Sequence, residues 1–453
     1  MDPTKTDHTV ARYIFFINPS WKDEECKPST KYFPNRSEAW YETFMALTRE
    51  NFLHSILSQP TAPFRERHVI TTICREFDAA GVPYFFDPLG NVVIGVSSQK
   101  EYLSALQKPK APKEQKNSNE PLRIFIAHLD HPGFHGVAWK SKRELEIQWH
   151  GGSPTQHLEG ASVWLATAKG WAGEGKLTHV EMTPSGRAIY KAIVQTSDDG
   201  SAHYPKGTEL YGGLHFRAPV WKEGNLLYTK AADDLVGAFA IAALALDTWG
   251  NHSGKRNEKK SKRTSPPLFI GLLTRAEEVG FIGAIGHFEL GWLQKAKRPL
   301  LCVSLETSRT LPGAEIGKGP VVRLGDRTTV FHPGALRVFS LLAQKELPEN
   351  HQRRIMDGGS CEATAATTYE LPSIGISVPL GNYHNQSFEG GPDSRGPLGP
   401  APEFVHTEDV AGLLKLCHAL IKPGLQWSDP WQDKLKEFKK ELRKYRLLLR
   451  SGP

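Results

Sequence analysis

This chain has no long apolar run and few cysteines, and each shortage removes a class of protein. No window approaches the roughly 20 apolar residues that a membrane span requires. The patch from Tyr13 to Ile17 is shorter than the about 7–15 residues of a signal-peptide core. A cytoplasmic protein with no membrane partner is therefore expected. The five cysteines, Cys26, Cys74, Cys302, Cys361 and Cys417, are scattered, odd in number and without a CxxC pair. That pattern fits reduced, packed thiols rather than a disulfide framework. What is present is ordinary globular composition: 453 residues, 39% hydrophobic and 23% charged, long enough for two domains.

The net charge of +7 is unevenly placed. Residues 255–263 and residues 431–450 each carry +5, which leaves a body of −3. Charge runs of this kind are ordinarily solvated surface, with nucleic acid or another acidic surface as the rival reading. No nucleic-acid motif accompanies them, so no nucleic-acid partner is expected.

Residues 1–35 read as an N-terminal extension. Helices are expected around Trp40, Phe44 and Leu47, and around Val69, Ile70, Ile73 and Phe77 before Gly81. Tyr84-Phe-Phe, the turn Asp87-Pro-Leu-Gly90 and Val92-Val-Ile read as strand, turn and strand. Residues 100–121 read as a polar linker. Leu145, Ile147 and Trp149 alternate with polar residues, and Ile189 to Val194 and Leu226 to Tyr228 are further β-type runs. Together they suggest a small antiparallel β domain, residues 134–228, inserted into an α/β domain formed by residues 36–133 and 229–425. Leu268 to Leu273, Leu300 to Leu305 and Ile374 to Val378 suit strands buried on both faces. Helices are expected at Leu336, Phe339 and Leu342, and again from Val410 to Leu420. The segment 426–453 is a basic helix. Its Trp431, Leu435, Phe438, Leu442, Tyr445 and Leu449 form an a/d seam. Folding back on the body is the favoured reading of that seam, and docking on a partner subunit the other.

Metal-ligand side chains end four of these apolar runs. His128 and Asp130 close Arg-Ile-Phe-Ile-Ala-His-Leu-Asp, and Asp233-Asp234 precedes a helical pattern. Glu277-Glu278 follows Leu-Leu-Thr-Arg-Ala, Glu306 follows Cys-Val-Ser-Leu, and His384 follows Pro-Leu-Gly-Asn-Tyr. In an open α/β sheet the ligand crevice lies at the carboxyl ends of the strands. Two cations about 3.5–4 Å apart can share a carboxylate and activate a water between them. The set supplies such a site: His128 and Glu306 on one metal, Glu278 and His384 on the other, Asp233 between. Asp130 would orient His128, and Glu277, without a metal duty, would be the general base. Each piece has a plainer reading. His-x-Asp can be structural, Asp233-Asp234 can cap a helix, and the paired glutamates can form a surface turn. Adjacent glutamates buried without cations would cost too much.

The chain resembles the tetrahedral, or deblocking (glutamyl), aminopeptidases, a group of co-catalytic dinuclear zinc peptidases. The resemblance rests on Ala127-His-Leu-Asp130, Lys230-Ala-Ala-Asp-Asp234, Glu277-Glu-Val-Gly-Phe-Ile-Gly-Ala284, Gly317-Lys-Gly-Pro320, Met356-Asp-Gly-Gly-Ser-Cys-Glu-Ala363 and Tyr383-His384. It implies a three-layer αβα catalytic domain with the β domain inserted between His128 and Asp233. It also implies a cis peptide after Asp233 and assembly into homo-oligomers through the inserted domain. Two divalent ions would serve as cofactors, zinc first, cobalt or manganese otherwise. The chain departs from the family at Glu306 (usually Asp), Leu235 (usually Arg), His131 (usually Glu), Asn385-Gln386 (usually Ser-Pro) and the loop from Phe388 to about residue 402.

The reading is a metallo-aminopeptidase that hydrolyses N-terminal residues from peptides through a metal-bridging hydroxide. Its rivals are a metal-dependent amidohydrolase or deacylase on a non-peptide amide, and a catalytically inactive scaffold of the same fold. His131, His135, His150, His203 and His406 are given no role. Cys361 and Glu362 either touch substrate or pack.

Overall fold

The computed structural model describes residues 49–107, 120–250, 268–425, 427 and 430–450. The N-terminal extension, the helix expected around Trp40, Phe44 and Leu47, and the basic loop 255–263 lie outside the described residues.

Period-2 burial explains the main sheet. Along Leu122–His128, Leu122, Ile124 and Ile126 join one apolar cluster while Phe125 and Ala127 join another. Successive side chains of a strand point to opposite faces, so both faces of the sheet are covered. One cluster holds the helices Arg67–Ala80, Leu235–Trp249, Pro333–Glu346 and Thr407–Leu420; the other holds Gln99–Ala105 and Ile282–Glu289. Such double burial is the usual condition of parallel strands. Four of them form the centre, in the order Phe269–Thr274, Leu122–His128, Leu300–Arg309 and Ser373–Gly381.

Antiparallel strands flank that centre within a sheet of eleven among the described residues. Val92–Ile94 and Tyr84–Phe86 lie on one side. On the other, Glu403–His406, Leu226–Thr229 and Val220–Glu223 follow one another, and Val321–Asp326 and Gln352–Met356 branch off.

Between His128 and Asp233 the chain leaves this sheet and closes a six-stranded antiparallel barrel. In order around it run Gly133–Trp139, Glu144–His150, Ile189–Thr196, Gly170–Met182, Ser162–Thr167 and Tyr211–Leu214. Leu145, Ile147 and Trp149 point inward as their alternation predicts, and with Phe134, Val163, Leu177 and Val194 they fill the lumen. A small barrel is a packed core rather than a channel. Gly212 has to be glycine: a Cβ there would sit 2.1 Å from the Trp164 carbonyl oxygen and 2.4 Å from the Phe134 ring.

Several local expectations hold. Arg67–Ala80 is a helix that ends at Gly81 in the left-handed region (φ 73°), and Tyr84–Phe86 pairs with Val92–Ile94 across the Asp87 turn. Cys74, Cys302, Cys361 and Cys417 are free and buried. Leu235–Trp249 is buried from Leu235 to Ala245, as an alanine-rich helix that is apolar on every side has to be.

Three expectations do not hold. Residues 100–121 were too polar overall to suggest structure, yet Gln99–Ala105 is helical. Ser98 caps it by accepting from Glu101 N, and Tyr102 and Ala105 are buried. Leu226–Tyr228 pairs with Glu403–His406 in the main sheet instead of joining the inserted barrel; a three-residue β pattern carries no information about which edge it meets. The C-terminal helix Pro430–Arg450 leaves its seam exposed rather than folding it onto the body. No described helix is long and apolar enough to cross a membrane.

Candidate metal centre

Strand register builds the centre. His128 is the last residue of its strand and pairs with Thr274, so Glu277 and Glu278 begin three residues past the neighbouring strand position. On the other side Ser304 pairs with Ile126, which sets Glu306 level with His128. Ser373–Gly381 is followed by a short turn in which Asn382, His384 and Asn385 all take left-handed φ values (55°, 55° and 58°). That turn swings His384 back over the strand ends. Asp233 follows the main-sheet strand Leu226–Thr229, and the Asp233–Asp234 peptide is cis, as the resemblance implies.

All seven residues singled out in the sequence come together here. His128 Nε2 lies 3.5 Å from Asp233 Oδ1, 3.6 Å from Glu306 Oε1 and 3.8 Å from Glu277 Oε2. His384 Nε2 lies 3.6 Å from Asp233 Oδ2 and 3.2 Å from Glu278 Oε2. Asp233 therefore presents one oxygen to each histidine. Its neighbour Asp234 does cap: Oδ1 accepts from Gly237 N at the start of Leu235–Trp249 and from the Thr307 hydroxyl. Its side chain nonetheless comes close enough to join His128 and Glu306 in one three-residue group of donor atoms, and His128, Asp233 and Glu278 form another.

Asp130 has a different duty from the expected one. Its carboxylate accepts from Glu277 N (2.9 Å) and Glu278 N (3.1 Å), tying the paired glutamates to the His128 strand. His128 Nδ1 lies 3.1 Å from the Asp130 carbonyl oxygen, closer than the 3.7 Å to the Asp130 carboxylate. Donation of Nδ1–H to that carbonyl leaves Nε2 free for the cluster.

Three supporting residues went unrecognised in the sequence. Glu403, fully buried, accepts from Ala232 N (2.7 Å), Asp233 N (3.1 Å) and His384 N (2.8 Å). A single carboxylate thus holds the backbone of two donors that arrive from distant segments. His131 Nδ1 donates to the Asp233 carbonyl at 2.7 Å. Arg323, buried beneath the site, lies 3.7 Å from Glu306 Oε2. A lone glutamate or arginine in a strand gives no sequence signal of this kind; only His131, beside Asp130, sat within a recognised motif. Glu362 also reaches the cluster's edge, accepting from the Thr274 hydroxyl.

The electrostatics demand a counter-charge. Burial pushes the Asp233 and Glu277 carboxyls well above the usual carboxylate range. Burial also works against charge on Glu278, but His384 beside it leaves that carboxyl lowered. Burial opposes charge on His128 as well, yet Glu277, Asp233 and Glu306 raise it well above the ordinary imidazole value. Asp233 Oδ1, Glu278 Oε1 and Glu306 Oε2 are buried without a hydrogen-bond partner among the described residues. Zinc–ligand bonds of about 2.0–2.1 Å place neighbouring donors of a tetrahedron about 3.3 Å apart. The histidine–carboxylate spacings of 3.2–3.6 Å are close to that edge. Imidazole and carboxylate are also the donors zinc takes, so the residues fit divalent cations.

No family model matches the chain, and no curated protein does. Solved structures do. The TET1 peptidase of Pyrococcus horikoshii superposes with a TM-score of 0.61 at 19% identity, over 83% of this chain and 99% of that one. An aminopeptidase from the archaeon Desulfurococcus kamchatkensis gives 0.60 at 16% identity, over 86% and 97%. An M18-family aminopeptidase from Thermotoga maritima gives 0.54 at 12% identity, over 86% and 99%. Across nearly the full length of these proteins, the fold of this chain is the fold of the TET-type aminopeptidases.

Proposed function

We propose that this protein is a metal-dependent aminopeptidase. The observation that carries the proposal is the two-sided arrangement about Asp233, with His128 at one oxygen and His384 at the other, and with Glu306 beside His128 and Glu278 beside His384. His128, Asp233 and Glu306 would hold one divalent ion, and Asp233, Glu278 and His384 a second, zinc being the first candidate. When bound, such ions polarise a scissile carbonyl and acidify a water. Glu277 Oε2 stands 3.8 Å from His128 Nε2, and its backbone is held by Asp130. In its ionised form, which bound cations would favour against burial's bias toward the acid, its carboxylate would take the attacking water's proton and return it to the leaving amine. The neighbours that share the fold are aminopeptidases, which favours a peptide N-terminus over the non-peptide amide of a deacylase.

A pocket next to Glu306 favours an acidic N-terminal residue. Its walls include Arg309, Arg323, Leu311, Met356 and Tyr383. The Nε atoms of Arg309 and Arg323 are buried without hydrogen-bond partners among the described residues. Arg309 is braced over the Phe388 ring at 3.6 Å. A guanidinium so held is suited to a carboxylate in a fixed orientation.

The TET1 peptidase is described as assembling into a tetrahedron or a large octahedral shell. Homo-oligomerisation through the inserted barrel is the corresponding proposal here.

Five outcomes test these readings. Metal analysis of the purified protein should find two divalent ions per chain, and Glu277→Gln should lower kcat on aminoacyl substrates roughly 100-fold or more. Little metal and no effect of that substitution would establish the inactive scaffold, while cleavage of N-acyl amino acids alone would favour the deacylase. Glu403→Gln should weaken metal affinity about 10–100-fold in chelator competition; unchanged affinity would remove its positioning role. Arg309→Met should reduce kcat/KM for a glutamyl substrate relative to a leucyl one by about tenfold, a loss of about 1.4 kcal/mol. An unchanged ratio would disprove the acidic preference. The mass in light scattering should be a multiple of the 50.4 kDa chain, and a monomer would disprove assembly.

A further inference from the structure

The C-terminal helix Pro430–Arg450, 21 residues and about 32 Å long, takes no part in the metal centre. Its seam is exposed: Leu435 at 50%, Phe438 at 60%, Leu442 at 53%, Tyr445 at 45% and Leu449 at 70%. At 3.6 residues per turn these side chains fall within an arc of about 80°. An aligned apolar row of this size on a solvent-facing helix marks a contact surface.

The charge around the row identifies the contact. Eight Lys and Arg against three acids occupy residues 431–450. By the same helical geometry, Lys439 and Arg446 border one edge of the row and Lys434 the other, with Arg443 and Arg450 beyond the first. Lys434 lies over the Phe438 ring at 5.3 Å and Lys444 over the Tyr445 ring at 4.6 Å, so basic groups already flank the aromatic ones. A helix with aromatic and leucine side chains on one face and Lys and Arg around it lies flat in the boundary layer of a lipid bilayer. The rings and leucines enter the acyl edge, and the long basic stems carry their charges up to the headgroups. Anionic headgroups attract such charges, and they would do so at one end of a protein whose remainder, outside its two basic runs, is −3.

A second copy of the helix fits less well. A parallel pair would place Lys434 of one copy beside Lys439 of the other, a repulsion that Glu441 beside Arg446 would only offset. Phe438 and Tyr445 would fill d positions that prefer leucine.

We propose that this helix docks the protein on an anionic phospholipid surface, as a peripheral contact rather than a span, independently of the peptidase reading. The test is sedimentation of the purified full chain with vesicles. Binding to equimolar phosphatidylcholine–phosphatidylserine should exceed binding to phosphatidylcholine alone by roughly tenfold or more. It should collapse as salt rises to about 1 M, where the screening length is about 3 Å. The combined variant Leu435→Ser, Phe438→Ser, Leu442→Ser and the charge variant Lys439→Glu, Arg443→Glu, Arg446→Glu should each lose about tenfold or more. Both should keep the wild-type thermal midpoint and oligomeric mass, because the altered side chains are exposed. The proposal is overturned if the wild type ignores charged vesicles, if neither variant changes binding, or if the apolar variant lowers the oligomeric mass, which would make a second copy the occupant.

Discussion

Carboxylates crowd the strand ends of this protein, and everything around them is organised to make that crowding tolerable. Two like charges 4 Å apart repel by about 4 kcal/mol at an effective dielectric constant of about 20. Asp130, Asp233, Glu277, Glu278 and Glu306 all lie within one such region, with side chains no more than 11% exposed. Two histidines and one arginine do not offset five acids at this spacing. The cluster calls for cations or for protons, and the convergence of imidazole and carboxylate donors favours cations.

Precision in the cluster comes from residues that present no donor to it. Asp130 ties the Glu277–Glu278 turn to the strand that ends in His128. Glu403 holds the backbone of Asp233 and His384, which are separated by the whole second half of the main sheet. His131 takes the Asp233 carbonyl. These contacts use backbone groups, so they fix where the chain runs and leave the side chains of the donors free to turn inward. That division of labour explains why Asp130 serves the neighbouring turn more directly than it serves the imidazole beside it.

The loop that follows His384 joins the two sheets of the chain. Arg395 donates to the carbonyls of His157, Glu159 and Gly160 beside the barrel, and Arg217 holds Asp393 through both its backbone N–H and its guanidinium. Glu389 and Asn382 bond each other at the loop's root. Phe388, its first residue, lies under Arg309 at the pocket. The loop that departs from the pattern of the aminopeptidases the chain resembles thus reaches the pocket beside Glu306.

Much was legible in the sequence because it is written in short range. Apolar runs ending in His128, Glu278 and Glu306 mark buried strands and their crevice ends, the 2-residue alternation through Trp149 marks the barrel wall, and the heptad spacing from Trp431 marks the last helix. Burial on one face or two leaves its period in the residues themselves. Other features depend on which strand lies beside which, and a single residue carries no trace of that. Register alone set Glu306 level with His128, delivered Glu403 to two backbones far apart in sequence, and moved Leu226–Thr229 from the barrel to the main sheet. Whether the helix seam was covered or bare was likewise a matter of where the helix leaves the body. Local pattern determined the elements and the chemistry they bear; packing in three dimensions decided their neighbours, because long-range contacts are made by the folded whole and not by any segment of it.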